Sequence, residues 1–381
     1  MEECSKCGNK DPIYFFRSKD SRLYCRRCIT FKDDESVKER LIEKRKVKPV
    51  LDYSLSKEQK EISTKIKEDF NSKKNSIIYA VCGAGKTELV YEVISYCLSE
   101  GLQVGFTIPR KDVVIELYNR IRKAFPFHKV IALYSSHTKV KEGDIILLTT
   151  HQLYRYKNYF DLLIADEVDA FPFKDNEVLN RFFFESIKGN FIMMSATLDK
   201  EEISKLYPND FSYYSLTKRY HNHPLIVPKV IVLPFFKKIV LLLLMMRFSK
   251  ENKPLLVFLP TRDKCEELYS FVKLFIKKGN YVHSQKEDRD EVIDKFKKGQ
   301  YAYLLTTSIL ERGITIKNLQ VIVFSCEHRI FDSNTLIQIS GRVGRKIDSW
   351  GGEVIYIASK TTQAMKTSIN KIKKDNDENF L

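Results

Sequence analysis

The sequence predicts an α/β protein in which two parallel-sheet domains follow a small N-terminal module. From about residue 54, short β-branched apolar runs alternate with amphipathic helical stretches, a pattern typical of parallel sheets covered on both faces. A segment rich in Pro, His and Lys interrupts this alternation. Two close pairs of cysteines lie before the alternating region, near the N-terminus. The predicted boundaries are a cysteine module at 1–32, a charged linker at 33–53, sheet domains at 54–216 and 247–381, and a basic connection at 217–246 that begins the second domain.

Each domain has its own series of predicted strands. In the first domain they are SIIYAVCG, QVGFTIP, KVIALY, DIILLTT, DLLIADE and FIMMSAT, with helices such as TELVYEVISYCL and RKDVVIELYNRIRKAF between them. In the second they are PLLVFLP, YVHS, AYLLTT, LQVIVFS and GEVIYIAS, with helices at RDKCEELYSFVKLFIKK and EDRDEVIDKFKKG. The linker carries dense charge of both signs, which is typical of an exposed helix or a solvated connection.

Composition excludes several classes of protein. Of the 381 residues 43% are hydrophobic and 30% charged, with only 14 Gly and 11 Pro, so the chain is neither collagen-like nor a low-complexity disordered protein. The net charge of +16 favours a polyanionic partner, either a nucleic acid or an anionic membrane surface.

We expect no membrane-spanning segment. The longest apolar run, Ile239 to Met246, has eight residues, whereas a spanning helix needs about 20. The opening MEECSKCGNK has no apolar core of the kind that secretory signals carry. The sequence therefore predicts a cytoplasmic protein, with the apolar run as a buried helix of the second domain.

The paired cysteines predict a metal site. Cys4, Cys7, Cys25 and Cys28 have the two-knuckle spacing that gives tetrahedral thiolate coordination of Zn²⁺. Four thiolates leave no open position, so the zinc is expected to be structural; iron or a redox-active pair is the alternative. Basic and aromatic residues lie between the pairs and could contact nucleic acid, or the aromatic residues could form the small core of the module.

The segment Ala80 to Thr87, AVCGAGKT, predicts a phosphate-binding loop. It follows an apolar strand and begins a helix, so its backbone N–H groups and the helix N-terminus can surround a phosphate. Gly83 and Gly85 allow the loop to turn. Lys86 would contact the β- and γ-phosphates, and the hydroxyl of Thr87 would ligate Mg²⁺.

Two further groups complete the predicted hydrolytic site of the first domain. The strand DLLIA ends in Asp166, expected to hold Mg²⁺, and Glu167, expected to activate water as the general base. Ser195-Ala-Thr197 follows the next apolar strand and could sense these carboxylates, although such a turn can equally be a helix cap.

Near the C-terminus, QISGRVGR places Arg342 and Arg345 beside glycines. Arginine stays charged and its planar fork binds phosphate in two places, so both residues are predicted to act on the γ-phosphate as arginine fingers. A solvated basic turn is the alternative.

Together GAGKT, DEVD, SAT and QISGRVGR resemble, in order and spacing, the motifs of superfamily 2 helicases and translocases. The resemblance implies RecA-like domains that hydrolyse ATP. It also implies adenine recognition by Gln59, nucleotide contacts by Gly83, Ala84, Gly85 and Gly313, and coupling through Ser195, Thr197 and Gln338. The residues implied in gripping nucleic acid are Arg110, Thr150, Thr261, Arg262 and Thr306.

A narrower resemblance covers nearly the whole chain. The cysteine module, DEVDAFPF, KRYHNHPLIVPK, VHSQKEDRDE and LLTTSILERGITI are together similar to the late competence protein ComFA family, itself similar to the primosomal helicase PriA. This family is understood to drive single-stranded DNA through a membrane channel in natural transformation. Membership implies single-stranded DNA, the uptake channel and cytoplasmic competence proteins as partners, and a place at the inner face of the cell membrane.

The choice of nucleic acid depends on the resemblance alone. Gln338 stands where RNA helicases of the DEAD-box type carry His, and Ser308 stands where they often carry Asp, which favours DNA. An RNA helicase, or a nucleic-acid-binding scaffold with a weak ATP site, remains the alternative. Residues 218–262 hold nine Lys or Arg and one acid, so they either follow a phosphate backbone or form a solvated linker.

Overall fold

A computed structural model describes residues 3–19, 21, 23–31, 37, 39–134, 140–168, 176–197, 210–307, 310 and 316–377. By their internal contacts these residues fall into two units. The first comprises residues 1–79 and 85–216, and the second comprises residues 80–84 and 217–381. The following description takes each unit by itself.

The N-terminal module is a small antiparallel hairpin. Strands β1 (Phe15–Arg17) and β2 (Leu23–Cys25) pair in antiparallel register, after a short 3-10 helix at Pro12–Tyr14. The side chain of Asp11 caps that helix by accepting a hydrogen bond from the backbone N–H of Ile13. The hairpin places the second cysteine pair beside the first.

The first unit is built on a seven-stranded sheet in the order β5-β6-β4-β7-β8-β3-β9. Strands β3 to β8 all pair in parallel. The strands are β3 (Asn75–Ala80), β4 (Val104–Ile108), β5 (Val130–Leu133), β6 (Ile145–Thr149), β7 (Phe160–Asp166), β8 (Ile187–Ser195) and β9 (Phe211–Leu216).

Helices connect these strands. They are α1 (Lys57–Asn71), α2 (Lys86–Leu89), α3 (Tyr91–Ser99), α4 (Lys111–Ala124) and α5 (Glu177–Ser186), together with a 3-10 helix at Thr150–Arg155. Helix α1 begins with a capping box, in which the Ser56 hydroxyl and the Gln59 side chain each accept from the other residue's backbone N–H.

The second unit is built on a six-stranded parallel sheet in the order β10-β15-β14-β11-β13-β12. Its strands are β10 (Lys229–Val232), β11 (Leu255–Phe258), β12 (Gly279–Val282), β13 (Tyr303–Thr306), β14 (Gln320–Phe324) and β15 (Val354–Ala358). Its helices are α6 (Lys237–Lys250), α7 (Arg262–Val272), α8 (Arg289–Lys297), α9 (Ser333–Ser340) and α10 (Gln363–Asp377).

Both faces of the second sheet are covered, as the continuous apolar strands predict. Successive residues of β11 enter different cores: Leu256 and Phe258 pack into one apolar cluster, and Leu255 and Val257 pack into another. Side chains of a strand point alternately to the two faces, so both faces must be apolar. The predicted α/β class, with two parallel sheets in tandem, is confirmed.

Two predicted segments have a more specific form than the sequence indicates. The apolar run Ile239–Met246 lies within α6, which buries Leu241 and Met245 but leaves Leu243 61% exposed. Residues 39–53 form no helix and lie along the first unit. There the backbone N–H of Val50 donates to the carbonyl of Ala124. No described helix is long and apolar enough to cross a bilayer.

The N-terminal module packs into the core of the first unit. Phe31 lies 5.0 Å, centroid to centroid, from the ring of Phe182 on α5 and 5.4 Å from that of Tyr154. Ion pairs between the module and α5 surround this contact: Arg27 to Glu177 at 2.7 Å, and Arg181 to Glu3 at 2.9 Å. The module is therefore part of the first unit's packing rather than a separate appendage.

Replacing Phe182 by alanine tests this packing. Phe182 is 3% exposed and sits between module and domain, so Phe182→Ala should lower the free energy of unfolding of the first unit by about 3–5 kcal/mol. The matched control is Phe184→Ala on the same helix, where the side chain is 39% exposed and a much smaller loss is expected. Equal losses in chemical denaturation would contradict a shared core.

Candidate nucleotide and nucleic-acid site

The predicted phosphate-binding loop has the backbone such a loop requires. It leaves the end of β3 and enters α2, whose first residue is Lys86. Gly83 and Gly85 have φ values of +87° and +83°, which residues with a side chain rarely adopt. The loop therefore depends on both glycines, with Ala84 between them.

Gln59 faces this loop from α1. A Cβ atom added to Gly85 would lie 2.6 Å from Nε2 of Gln59, so the amide group is directly beside the loop. Its Oε1 accepts from the backbone N–H of Ser56 at 2.9 Å. The predicted adenine-reading residue is thus both a helix cap and a neighbour of the phosphate loop.

The predicted catalytic residues of the first unit lie together. Nζ of Lys86 is 3.5 Å from Oδ1 of Asp166, and Thr87, the next residue, is buried. Glu167 has a φ of +60°, and its backbone N–H donates to the Asp166 carboxylate at 2.8 Å. Such a left-handed backbone at a non-glycine residue costs free energy and occurs preferentially at functional sites. Asp169, the last residue of the DEVD motif, lies outside the described residues.

Strand order explains why these motifs meet. Strands β7, β8 and β3 are neighbours, with Asp166 opposite Met194 and Tyr79 opposite Ser195. Because parallel strands end at the same edge, the carboxylates, the Ser195–Thr197 turn and the phosphate loop emerge side by side. In that turn the buried Ser195 hydroxyl accepts from the backbone N–H of Thr197 at 3.1 Å.

One group behind the phosphate loop was not identified from the sequence. Glu88, buried in the first turn after Lys86, accepts from the Tyr53 hydroxyl at 2.6 Å and from Arg120 at 2.5 Å. These contacts hold the start of α2 from two other parts of the chain. The partners lie more than thirty residues away in each direction, so local spacing carries no signal of them.

In the first unit the predicted nucleic-acid residues follow the other strands of the sheet. Arg110 is the N-terminal cap residue of α4, just after β4, and Thr150 begins the 3-10 helix directly after β6. Strands β4 and β6 are neighbours, on the side of β7 away from β8 and β3. Thr150 as a whole is 1% exposed, whereas the next residue of the turn, His151, is exposed.

In the second unit too, the predicted nucleic-acid residues lie at strand ends. Thr261 and Arg262 follow β11, and Thr306 ends β13, its neighbour in the sheet. The Thr261 hydroxyl caps α7 by accepting from the backbone N–H of Lys264 at 3.3 Å, and the Thr306 side chain is fully buried. Gly313 lies outside the described residues.

The QISGRVGR motif spans the end of α9 and the loop after it. Gln338 is buried on α9, and Arg342 is buried just beyond the helix. Arg345 is half-buried, and its Nε donates to the carbonyl of Gly341 at 2.9 Å. This loop leads into β15 and lies beside the start of β14, whereas Thr261 and Thr306 lie at the carboxyl ends of β11 and β13.

The basic stretch at 218–262 is not a solvated linker. It includes β10 and α6, and acids from elsewhere neutralise several of its charges. Lys237 pairs with Glu327 at 2.6 Å, and Arg247 pairs with Glu353 at 2.6 Å. Part of this charge is therefore neutralised within the second unit.

The four predicted metal ligands form one cluster. The sulfur atoms of Cys4, Cys7, Cys25 and Cys28 all lie within 4.8 Å of one another, and the two measured pairs, Cys4–Cys28 and Cys7–Cys25, are 3.7 Å apart. Tetrahedral zinc with Zn–S bonds of about 2.3 Å places sulfurs about 3.8 Å apart. The cluster therefore fits a structural Zn²⁺, whose role would be to hold the hairpin closed.

The described basic and aromatic residues of the module make contacts within the protein. Phe15 and Phe31 pack against the core, and Arg27 pairs with Glu177. Arg26 stacks over the Phe16 ring at 3.7 Å. Phe15 thus serves as core, as the second interpretation predicts, but the core is that of the first unit rather than one confined to the module.

Comparisons with known proteins identify the class. Residues 236–347 match the helicase conserved C-terminal domain, and residues 52–200 match the type III restriction enzyme res subunit family. The structure of S. cerevisiae Dbp5 bound to RNA and ADP BeF3 superposes with a TM-score of 0.62 at 17% identity, covering 84% of this chain and 92% of that one. Fold and motifs together define a nucleic-acid-dependent ATPase with the superfamily 2 helicase core.

Full-length relatives narrow the class to a family. The chain is 33% identical to competence protein ComFA of Bacillus subtilis (strain 168), over 98% of its own length and 85% of the relative. It is 32% identical to ComFA of Streptococcus pneumoniae (strain ATCC BAA-255 / R6), over 93% and 86%. The chain belongs to the ComFA family, and it is an ATP-dependent helicase or translocase of competence.

Metal content tests the cysteine cluster. We expect about one equivalent of zinc per chain by elemental analysis, and Cys7→Ser should lose most of it because three thiolates hold zinc less tightly. Cys265→Ser is the control, since Cys265 is also buried but lies in the second unit. Less than half an equivalent in the parent protein, or iron in place of zinc, would contradict the assignment.

Proposed function

We propose that this chain is a motor that moves along single-stranded DNA and drives DNA uptake in natural transformation. The proposal goes beyond the family's shared ATPase core in naming the polymer, the process and the site residues. Three lines support it: the placement of motifs along each sheet, the departures from the RNA-helicase pattern, and family membership.

The observation that carries the proposal is that each unit separates two groups of motifs. In the first unit the nucleotide motifs follow β3, β7 and β8, and the phosphate-gripping candidates follow β4 and β6. In the second unit the arginine loop lies beside the starts of β14 and β15, and the gripping candidates follow the ends of β11 and β13. Each unit thus offers one region to ATP and a different one to a nucleic-acid backbone.

The nucleotide motifs of the two units supply the chemistry of hydrolysis. Lys86 contacts the β- and γ-phosphates, and Thr87 and Asp166 hold Mg²⁺, which neutralises phosphate charge when bound. Glu167 accepts the proton of the attacking water. Arg342 and Arg345 stabilise the charge that develops on the transferred phosphoryl group.

Hydrolysis is coupled to grip through Ser195 and Thr197 in the first unit and through Gln338 in the second. All three residues are nearly inaccessible to solvent, so each can move only together with the groups packed around it. Binding through Arg110 and Arg262 and through backbone N–H groups contacts phosphates rather than base edges. We therefore infer little sequence preference.

The departures from the motifs of DEAD-box RNA helicases favour DNA over RNA as the polymer. Gln338 replaces the histidine of DEAD-box RNA helicases. Ser308, the second departure, lies outside the described residues. An RNA-dependent motor and a binding scaffold with a weak ATP site are outcomes that the following experiment separates. On family membership we place the motor at the inner face of the cell membrane, with the uptake channel and cytoplasmic competence proteins as partners.

The steady-state ATPase rate should depend on the polymer. At one fixed low salt concentration, oligo-dT is expected to raise kcat severalfold over the polymer-free rate, and duplex DNA and oligo-U much less. Rising salt should raise the half-saturating DNA concentration, because binding through phosphate contacts releases counterions and is therefore weaker at high salt.

Two variants confirm that the activity belongs to this site. Lys86→Ala should abolish turnover, and Glu167→Gln should retain ATP binding yet lower kcat by about 10²–10⁴. Stimulation by oligo-U alone would assign an RNA motor. No turnover with any polymer would leave the scaffold, and near-parental turnover of Lys86→Ala would overturn the site.

A further inference from the structure

The segment Arg219–His223, here called the strap, joins the second unit just after the chain leaves the first. Arg219 is 2% exposed, yet its charge is not paired with an acid: its described hydrogen bonds go to backbone carbonyl oxygens. Nη1 donates to Val343 at 2.9 Å and to Gly344 at 2.6 Å, Nη2 donates to Gly341 at 3.3 Å, and Nε donates to Cys82 at 3.1 Å. One guanidinium thus ties together three residues of the arginine loop.

The rest of the strap reinforces the same loop. Nε2 of His221 donates to the Gly344 carbonyl at 3.0 Å, while the backbone N–H of His223 donates to its Nδ1 at 3.2 Å. These two contacts fix the neutral tautomer of His221, in keeping with burial, which lowers its pKa. The Tyr220 hydroxyl donates to the carbonyl of Arg345 at 3.2 Å.

The far end of the loop is also bound to the strap. The Trp350 ring stacks on His223, with centroids 4.3 Å apart and planes 13° from parallel. Gly344 has a φ of +69°, and a Cβ atom there would lie 2.2 Å from the Trp350 carbonyl oxygen. The loop is therefore folded tightly between its own glycine turn and the strap.

Arg219 and Arg345 share an acceptor. Nε of Arg345 donates to the Gly341 carbonyl at 2.9 Å, the same oxygen that Arg219 contacts. Burial lowers the pKa of Arg219 to about 10, and the nearby charge of Arg345 acts in the same direction. Burying the Arg219 cation beside a second cation costs free energy, so its contacts in the folded protein must compensate for that cost.

We propose that Arg219 is a positioning residue for ATP hydrolysis, and that the strap holds the Gly341–Arg345 loop in the conformation that presents Arg345. The inference rests on the proposed role of Arg345. Arg219 donates hydrogen bonds to the carbonyl groups of the loop. Its planar guanidinium reaches several acceptors at once, which a lysine ammonium group cannot do.

The test is a double-mutant cycle on kcat at saturating oligo-dT. Arg219→Gln should lower kcat about 10- to 100-fold, because small misplacement of a catalytic group costs that much, with KM for ATP changed less than about twofold. Arg219→Lys should show most of the same loss. The double variant with Arg345→Ala should have a kcat little lower than that of Arg345→Ala alone, because both substitutions remove the same contribution of Arg345 to hydrolysis.

Control variants separate positioning from stability. Lys218→Gln removes a neighbouring charge outside the strap and should leave kcat unchanged. His221→Ala, a milder change, should lower kcat about 3- to 10-fold and should likewise be non-additive with Arg345→Ala, so a failure of Arg219→Gln to fold does not end the test. Trp350 is the single tryptophan of the chain, so a red shift of its emission on Arg219→Gln reports release of the loop.

The outcomes are distinct. Unchanged kcat in a folded Arg219→Gln protein, or losses that multiply with that of Arg345→Ala, would overturn the strap's role. Full kcat in Arg345→Ala would instead overturn the proposed role of that arginine, while the tryptophan emission still measures whether the strap holds the loop.

Discussion

The parallel pairing of strands is the constraint on which the rest of the structure depends. Because every strand of a parallel sheet ends at the same edge, the residues that follow β3, β7 and β8 lie together although they come from distant parts of the sequence. The close approach of Lys86 and Asp166 is a direct consequence. Covering both faces with helices leaves this edge as the place where polar groups can meet a ligand.

Much of this arrangement could be predicted because its signals are local. The glycine loop is recognisable because it stands between an apolar strand and a helix. The carboxylates are recognisable because they directly follow another apolar strand. Four cysteines in two pairs likewise indicate one cluster, and their sulfur atoms do lie together. Strand ends were predictable because continuous apolar runs stop where polar motifs begin.

The contacts that hold those motifs in place could not be predicted in the same way. Arg120 reaches Glu88 from another helix, and Arg219 reaches the arginine loop from more than a hundred residues earlier. Such pairs form only once the chain has folded, and nothing in the local spacing marks them. The same applies to Phe31, whose contact with α5 makes the cysteine module part of a larger core.

The account's central claim is that the turns after β3, β7 and β8 bind the nucleotide, and that the turns after β4, β6, β11 and β13 bind the nucleic acid. Hydrogen–deuterium exchange on the full chain tests it most directly. A non-hydrolysable ATP analogue should protect the backbone around residues 81–88, 166–168 and 195–197, and oligo-dT should protect the turns after β4, β6, β11 and β13. Protection by either ligand at the opposite ends of these strands, with the named turns unchanged, would contradict the account.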